Sequence, residues 1–167
     1  MTDEAEPTNL QRVGVVGSGL MGSGIAEVCA RAGLDVIVRE VDAAAAEAGQ
    51  ARFAKSLDRA VGSGKLTQDD RDAAFARVTF TTDIDDLADR QLVVEAAVEQ
   101  EAAKVAIFKE LDRVVADPTA VLASNTSSIP IMKLGMATQR GTGNLQQDGT
   151  GKWPFPAQPA ASAEGNP

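Results

Sequence analysis

Short unbroken apolar runs alternate along this chain with longer stretches of helical spacing. Residues 13–16 are an apolar run stopped by Gly17 and read as a buried strand. Residues 21–32 follow with helical spacing, and Gly33 closes that stretch as a C-cap. Residues 36–38 are a second buried strand. The alanine-rich stretch 43–61 places Phe53, Leu57 and Val61 four apart, on one helix face. Gly62-Ser63-Gly64 breaks it, and Thr67 stands as the N-cap of a helix ending near Arg77. Residues 78–81 form a third strand, 84–88 a helical turn and 91–95 a fourth strand. The stretch 101–116 is an amphipathic helix with Val105, Phe108, Leu111 and Val115 on its apolar face, and Asp117-Pro118 ends it. Residues 120–123 are a fifth strand, 124–128 a loop, and 130–137 the start of another helix with Met132 and Met136 packing on its face.

Strands alternating with helices predict an α/β fold with a parallel, doubly wound sheet. Continuously apolar strands fit a sheet covered on both faces. No internal repeat is present. The pattern stops at Arg140. Residues 141–167 hold five Gly and four Pro, lack Ile, Val and Met, and offer only Leu145, Trp153 and Phe155 as large apolar side chains. Too little surface is available there to offset the entropy of ordering, which predicts a disordered, low-complexity tail. The expected organisation is a flexible N-terminus over 1–11, one Rossmann-type domain over 12–140 with an incomplete sheet, and the tail over 141–167.

Composition narrows the chemistry. The chain is 44% hydrophobic and 24% charged, as in a globular protein. Its net charge of −8 speaks against nucleic acid as a partner, whose binding rests on cationic contacts to phosphate. Cys29 is the one cysteine, so no internal disulfide is expected, and it is read as core packing. The acidic start lacks the features of a signal peptide, and no run approaches the roughly 18 apolar residues of a membrane span, so a cytoplasmic protein without membrane partner is expected. Histidine and tyrosine are both absent, which removes the commonest general base and excludes dehydrogenases that use a catalytic tyrosine. No metal site is expected.

Gly17-Ser18-Gly19-Leu20-Met21-Gly22 fits G-x-G-x-x-G between a strand and a helix. The first glycine permits the tight turn, the second lets a pyrophosphate approach the backbone, and the third lets the helix pack closely on the sheet. The helix N-terminus offers free N–H groups to phosphate. Gly24 and Ala26 are read as keeping the first turns slim. Glu40 ends the second strand at roughly the twenty-residue offset expected of a ribose-binding acid. Its carboxylate favours NAD over NADP, because it repels a 2′-phosphate. Arg39 is discounted as a phosphate ligand because strand neighbours point to opposite faces, and Asp42 is a fallback for the acid.

Three motifs together resemble the 3-hydroxyacyl-CoA dehydrogenases, with the bacterial 3-hydroxybutyryl-CoA dehydrogenases as the nearest likeness. They are the glycine loop with Gly24, the run Val93-Val94-Glu95-Ala96-Ala97-Val98-Glu99, and Ala123-Ser124-Asn125-Thr126-Ser127-Ser128. The resemblance covers residues 12–140. It implies oxidation of an L-3-hydroxyacyl-CoA to the 3-ketoacyl-CoA with hydride passing to NAD. It further implies that Ala97, Glu99 and Lys104 meet the cofactor with Glu99 near the nicotinamide ribose, that Asn125 belongs to the same cofactor site, and that Ser127 hydrogen-bonds the reacting oxygen. Ser56 matches loosely a serine that meets CoA. Read from the residues alone, Glu99 and Lys104 equally suit solvated charges at a helix start, and Ser127 suits a loop or cap hydroxyl.

Beyond Arg140 the resemblance stops. The family's His-Phe-Phe-Asn-Pro motif, whose histidine takes the hydroxyl proton, falls near Asp148, where the sequence is Gln147-Asp148-Gly149. The second domain, which closes over acyl-CoA and supplies the family's dimer contacts, has no counterpart. A frameshift or truncation near codon 140 is the expected cause, and an inactive form of the enzyme the expected consequence. Two other readings stay open: a non-catalytic NAD-binding module, and a fragment of a 3-hydroxyisobutyrate-type dehydrogenase, against which the 124–128 loop argues.

Overall fold

The computed structural model describes residues 9–140. Their elements are β1 (Arg12–Val16), α1 (Leu20–Arg31), β2 (Asp35–Arg39), α2 (Ala43–Gly62), α3 (Gln68–Ala76), β3 (Val78–Thr81), a 3₁₀ turn (Ile84–Leu87), β4 (Leu92–Glu95), α4 (Glu101–Val114), β5 (Val121–Ser124) and α5 (Ile131–Gly135). The five strands form one parallel sheet in the order β3-β2-β1-β4-β5. The chain winds outward from β1 through β2 to β3, then returns to the other side of β1. The strand order therefore reverses between β1 and β4. The expected doubly wound Rossmann-type sheet is what forms. The expected tail over 141–167, Asp148 within it, and residues 1–8 lie outside the described residues.

Alternate side chains of β1 feed two cores. Val13 and Val15 join Val36, Val38, Ala26, Ala30, Phe53, Leu57 and Ala74 under α1, α2 and α3. Val16 joins Ile84, Leu87, Val93, Leu111, Val114, Val115 and Ala120 under α4 and the 3₁₀ turn. Burial on both faces is why the central strands β1, β2 and β4 carry apolar runs without alternation, whereas β3, at the edge of the sheet, alternates as Val-Thr-Phe-Thr with Thr79 exposed. Gly14 makes the second core possible, since a Cβ there would lie 2.9 Å from Leu87 Cδ2 and 3.2 Å from Val93 Cγ2.

Helix ends follow local chemistry. Thr67 caps α3 as predicted, accepting from the Asp70 amide at 3.1 Å. Asp42 caps α2, accepting from the Ala45 amide at 2.8 Å, so the fallback acid is engaged as a cap. Gly33 turns the chain out of α1 at φ +91°, with Gly33 and Leu34 amides donating to the Ala30 and Cys29 carbonyls in a Schellman arrangement. Cys29 packs half-buried against the first core, and burial pushes its thiol pKa up.

Three expectations need correction. Met132 and Met136 are not packed: they are exposed, and Leu134 is the residue α5 buries. A five-residue α5 turns that side inward, leaving the methionines outside. Gly24 is not needed for slimness, because a Cβ there meets nothing within 4 Å, whereas Ala26 is buried. The buried face of α4 runs through Lys104, Phe108, Leu111 and Val114, with Val105 only half-buried, so a lysine opens the buried row. Residues 9–11, within the segment expected to be flexible, are tied to Gln91: its Oε1 accepts from the Gln11 amide at 2.8 Å and its Nε2 donates to the Asn9 carbonyl at 2.9 Å.

Candidate functional site

Register brings the predicted residues to one edge of the sheet. Val16 pairs with Arg39 on one side and Glu95 on the other, and Glu95 pairs with Ser124. Gly17, Glu40, Ala96 and Asn125 are thus the first residues past four adjacent strand ends. Their amides continue the ladders: Gly17 donates to Arg39 O at 2.9 Å, Ala96 to Val16 O at 2.8 Å, and Asn125 to Glu95 O at 2.8 Å. Carboxyl ends of strands flanking a reversal of strand order are where open parallel sheets bind ligands.

The three loop glycines have different reasons to be glycine. Gly17 has φ +95°, and a Cβ on it would come 2.8 Å from Ala96 O. Gly22 begins to pack α1 on the loop so closely that a Cβ would sit 1.9 Å from Gly17 O. A Cβ on Gly19 would meet nothing within 4 Å. Among the described residues no protein contact demands glycine at that position. Open space beside the start of α1, whose first-turn amides lack intrahelical partners, suits an approaching phosphate. Leu20 and Met21 are exposed beside it.

Glu40 is wired into this loop. Its Oε1 accepts from the Ser18 amide and, at 2.6 Å, from Ser18 Oγ, while Oε2 accepts from the Val41 amide at 3.2 Å. Ser18 is itself buried. A carboxylate has about four acceptor sites, so Oε2 keeps capacity for a ribose hydroxyl. Helix α2 presses on the same serine. A Cβ on Gly49 would stand 2.0 Å from Ser18 Oγ, and Arg52 Nη1 donates to Ser18 O. Sequence reasoning missed Gly49. Its signal was a glycine inside an otherwise alanine-rich helix, which costs about 1 kcal/mol unless packing requires it. Arg39 Nε is buried without a hydrogen-bond partner among the described residues.

The β4–β5 side is built from charge. Glu95 is fully buried and Lys104 is 1% exposed. Lys104 Nζ donates to Glu95 Oε1 at 2.7 Å and Oε2 at 2.9 Å, and to Ala97 O at 3.3 Å. It also lies 3.2 Å from Glu99 Oε2. Glu95 further accepts from the Ala97 amide at 2.7 Å and from Ser124 Oγ at 2.6 Å. Lys104 is therefore not the solvated helix-start charge that its residue type alone suggested. Glu95 was quoted only as part of a motif. Its signal was a carboxylate ending a strand that is otherwise apolar.

Glu99 is exposed and reaches across to the 124–128 loop. Its Oε1 accepts from Thr126 Oγ1 and, at 2.9 Å, from Ser128 Oγ. Hydrogen bonds from Thr126 and Ser128, with the nearby Lys104 ammonium, hold its carboxyl below the ordinary value of 4.5. Ser124, Thr126 and Ser128 are thus all bonded to carboxylates, Ser124 to buried Glu95 and the other two to Glu99. The exposed side chains of Ser127 and Asn125 make no hydrogen bond among the described residues. Ser56 is not part of this assembly. It lies about 10 Å along α2 from Gly49 and donates to Glu27 Oε2 at 2.6 Å.

Among the described residues no group of three or more potential metal ligands occurs, and no helix is long and apolar enough to cross a membrane. Comparison with known proteins matches the family described as "3-hydroxyacyl-CoA dehydrogenase, NAD binding domain" over residues 12–145. A 3-hydroxybutyryl-CoA dehydrogenase of Mycobacterium tuberculosis is 64% identical over 131 residues, 78% of this chain and 46% of that protein. The crystal structure of M. tuberculosis FadB2 aligns at 63% identity and TM-score 0.79, covering 80% of this chain and 47% of that one. The structure of (S)-3-hydroxybutyryl-CoA dehydrogenase PaaH1 from Ralstonia eutropha aligns at 44% identity and TM-score 0.76, covering 79% and 46%. The chain spans about half the length of the curated relatives it matches.

Proposed function

This chain belongs to the 3-hydroxyacyl-CoA dehydrogenase family through that family's NAD-binding domain, and from that premise we propose that it is the cofactor-holding part of an enzyme interconverting L-3-hydroxyacyl-CoA and 3-ketoacyl-CoA. NAD, when bound, supplies the hydride acceptor. The residues present fit it. Gly19 leaves open space at the start of α1 for the pyrophosphate, and Glu40 keeps an acceptor oxygen beside the loop. With adenosine at the β2 side and pyrophosphate over β1, the second nucleotide falls over the β4 and β5 ends.

The observation that carries the catalytic part is the hydroxyl pattern of the 124–128 loop. Three hydroxyls are bonded to the carboxylates of Glu95 and Glu99, and Ser127 Oγ is left unbonded among the described residues. A hydroxyl held on a fixed loop beside the nicotinamide side is suited to donate to the substrate's reacting oxygen. Asn125 stands on the same loop with its side-chain carboxamide unbonded among the described residues. Glu99 and Ala97 flank the cofactor's second ribose in this reading.

These 167 residues include no histidine, so no imidazole here can take the hydroxyl proton. General-base catalysis is worth about 10²–10⁴-fold, and we assign this chain cofactor binding with negligible turnover of its own. The absent histidine equally favours a second reading, a non-catalytic NAD-binding module. Fluorescence titration with NADH and a progress curve with acetoacetyl-CoA plus NADH test both. Binding without loss of NADH absorbance is expected. Turnover would overturn the inactive reading, and failure to bind NADH would overturn the proposal as a whole.

A further inference from the structure

We propose that the buried pair Glu95–Lys104 is a positioning device for the nicotinamide half of the cofactor site, holding Glu99 and the 124–128 loop in the shape that presents Ser127 and Asn125. The inference rests on the NAD reading given above. Both charges are essentially removed from water, Glu95 at 0% and Lys104 at 1% exposure. Removing two ions from water is costly, and apolar pairs of similar volume often serve stability as well or better. Stability alone is a weak reason for such a pair.

Its remaining bonds supply a better one. Each group of the pair directs its remaining hydrogen-bonding capacity to a segment at or just after the carboxyl end of β4 or β5. Glu95 accepts from the Ala97 amide at 2.7 Å and from Ser124 Oγ at 2.6 Å. Lys104 donates to Ala97 O at 3.3 Å and lies 3.2 Å from Glu99 Oε2. Glu99 in turn holds Thr126 and Ser128, the two neighbours of Ser127. One ion pair on β4 and α4 thereby fixes the turn after β4, the end of β5 and both sides of Ser127. Ammonium and carboxylate suit this task because charge-assisted hydrogen bonds are short and strong where water is excluded. Neither group touches the reacting atoms. Both act through Glu99 and the loop.

Full-length Glu95→Gln and Ser124→Ala variants, titrated with NADH and separately with ADP, test this. ADP occupies only the adenosine and pyrophosphate positions near Glu40 and the glycine loop, so it reports folding and the far half of the site. The glutamine keeps the volume of Glu95 but turns an N–H₂ toward donors that need an acceptor. Glu95→Gln is expected to weaken NADH about tenfold, roughly one misaligned charge-assisted hydrogen bond, and to reduce the nicotinamide fluorescence gain on binding. ADP affinity should stay within about twofold. Ser124→Ala removes one strut and should weaken NADH about threefold, with ADP again unchanged. If Glu95→Gln loses both ligands together, the pair serves folding in that variant, and an unchanged NADH-to-ADP ratio in Ser124→Ala then overturns the proposal. Unchanged NADH affinity in both variants overturns it directly. An unaltered chain that binds ADP but not NADH instead refutes the cofactor reading, and this inference falls with it.

Discussion

At the β1–β2 part of the strand-end row, Glu40 takes hydrogen bonds from Ser18, and the shape is set by what is missing. Glycines 17, 22 and 49 let backbone and helix approach to distances no Cβ would tolerate. At the β4–β5 end, Glu95 takes hydrogen bonds from Ser124, the Ala97 amide and Lys104, and the shape is set by buried charge. The first end is made by steric subtraction and has one half-buried carboxylate. The second depends on a desolvated ion pair feeding an exposed one. Steric shape is insensitive to protonation, whereas a charge network fails as soon as one member is lost, because its partner is then left buried and unpaired. The two ends should therefore break in different ways.

The largest effect is expected at the charged end. Lys104→Met leaves Glu95 buried without its cation, and a loss of about 3–5 kcal/mol is expected in urea unfolding. Loss of less than about 1 kcal/mol would erase the contrast.

Next come two glycines a few residues apart. Gly22→Ala forces a methyl against Gly17 O, for an expected loss of about 1–3 kcal/mol. Gly19→Ala meets open space, so the melting temperature should hold while NADH affinity falls at least about tenfold. Equal thermal losses in the two variants would deny that these glycines have separate reasons.

Glu40→Ala removes hydrogen bonds from a half-buried, solvent-reachable carboxylate, so about 1 kcal/mol of stability is expected to go. Its clearer signature is in binding, where the ratio of NADPH to NADH affinity should rise because the charge opposing a 2′-phosphate is gone. An unchanged ratio would remove Glu40 from the ribose site.

The smallest effect is a pH dependence carried by Glu99. Its folded carboxyl titrates below the ordinary 4.5, mainly through Thr126 and Ser128. A depressed carboxylate contributes stability that is complete above the unfolded value and fades as pH falls through the folded one. Stabilities of the unaltered chain and Glu99→Gln should thus differ by a constant, small amount above pH ~5 and converge in more acid solution. Divergence on acidification would reverse the sign of the assignment.

Much of this was legible along the chain. The strands announced themselves as short apolar runs, the caps Thr67 and Gly33 as residue types suited to their backbone, and the glycine loop as a motif in context. Asn125 and Ser127 were visible through resemblance to a family, but which loop hydroxyls stay unbonded was not. That depends on Glu99 crossing from another segment. Lys104 was visible as a residue, yet its burial was not, because one lysine at the head of an amphipathic helix reads as solvated until β4 places Glu95 beneath it.

Local sequence, then, determined which segments are strands and helices and, to within a residue or two, where they start and stop, since those follow from periodicity, caps and φ preferences close along the chain. It also set the glycine loop and its acid. Tertiary structure decided which glycines are sterically obligatory, since Gly14, Gly22 and Gly49 are constrained by atoms that the chain brings back from elsewhere or folds against the loop. It decided too that Glu95 and Lys104 form a buried pair. Burial is a property of the packed sheet and not of either side chain, and the charge of a buried group is meaningful only with its partner in place.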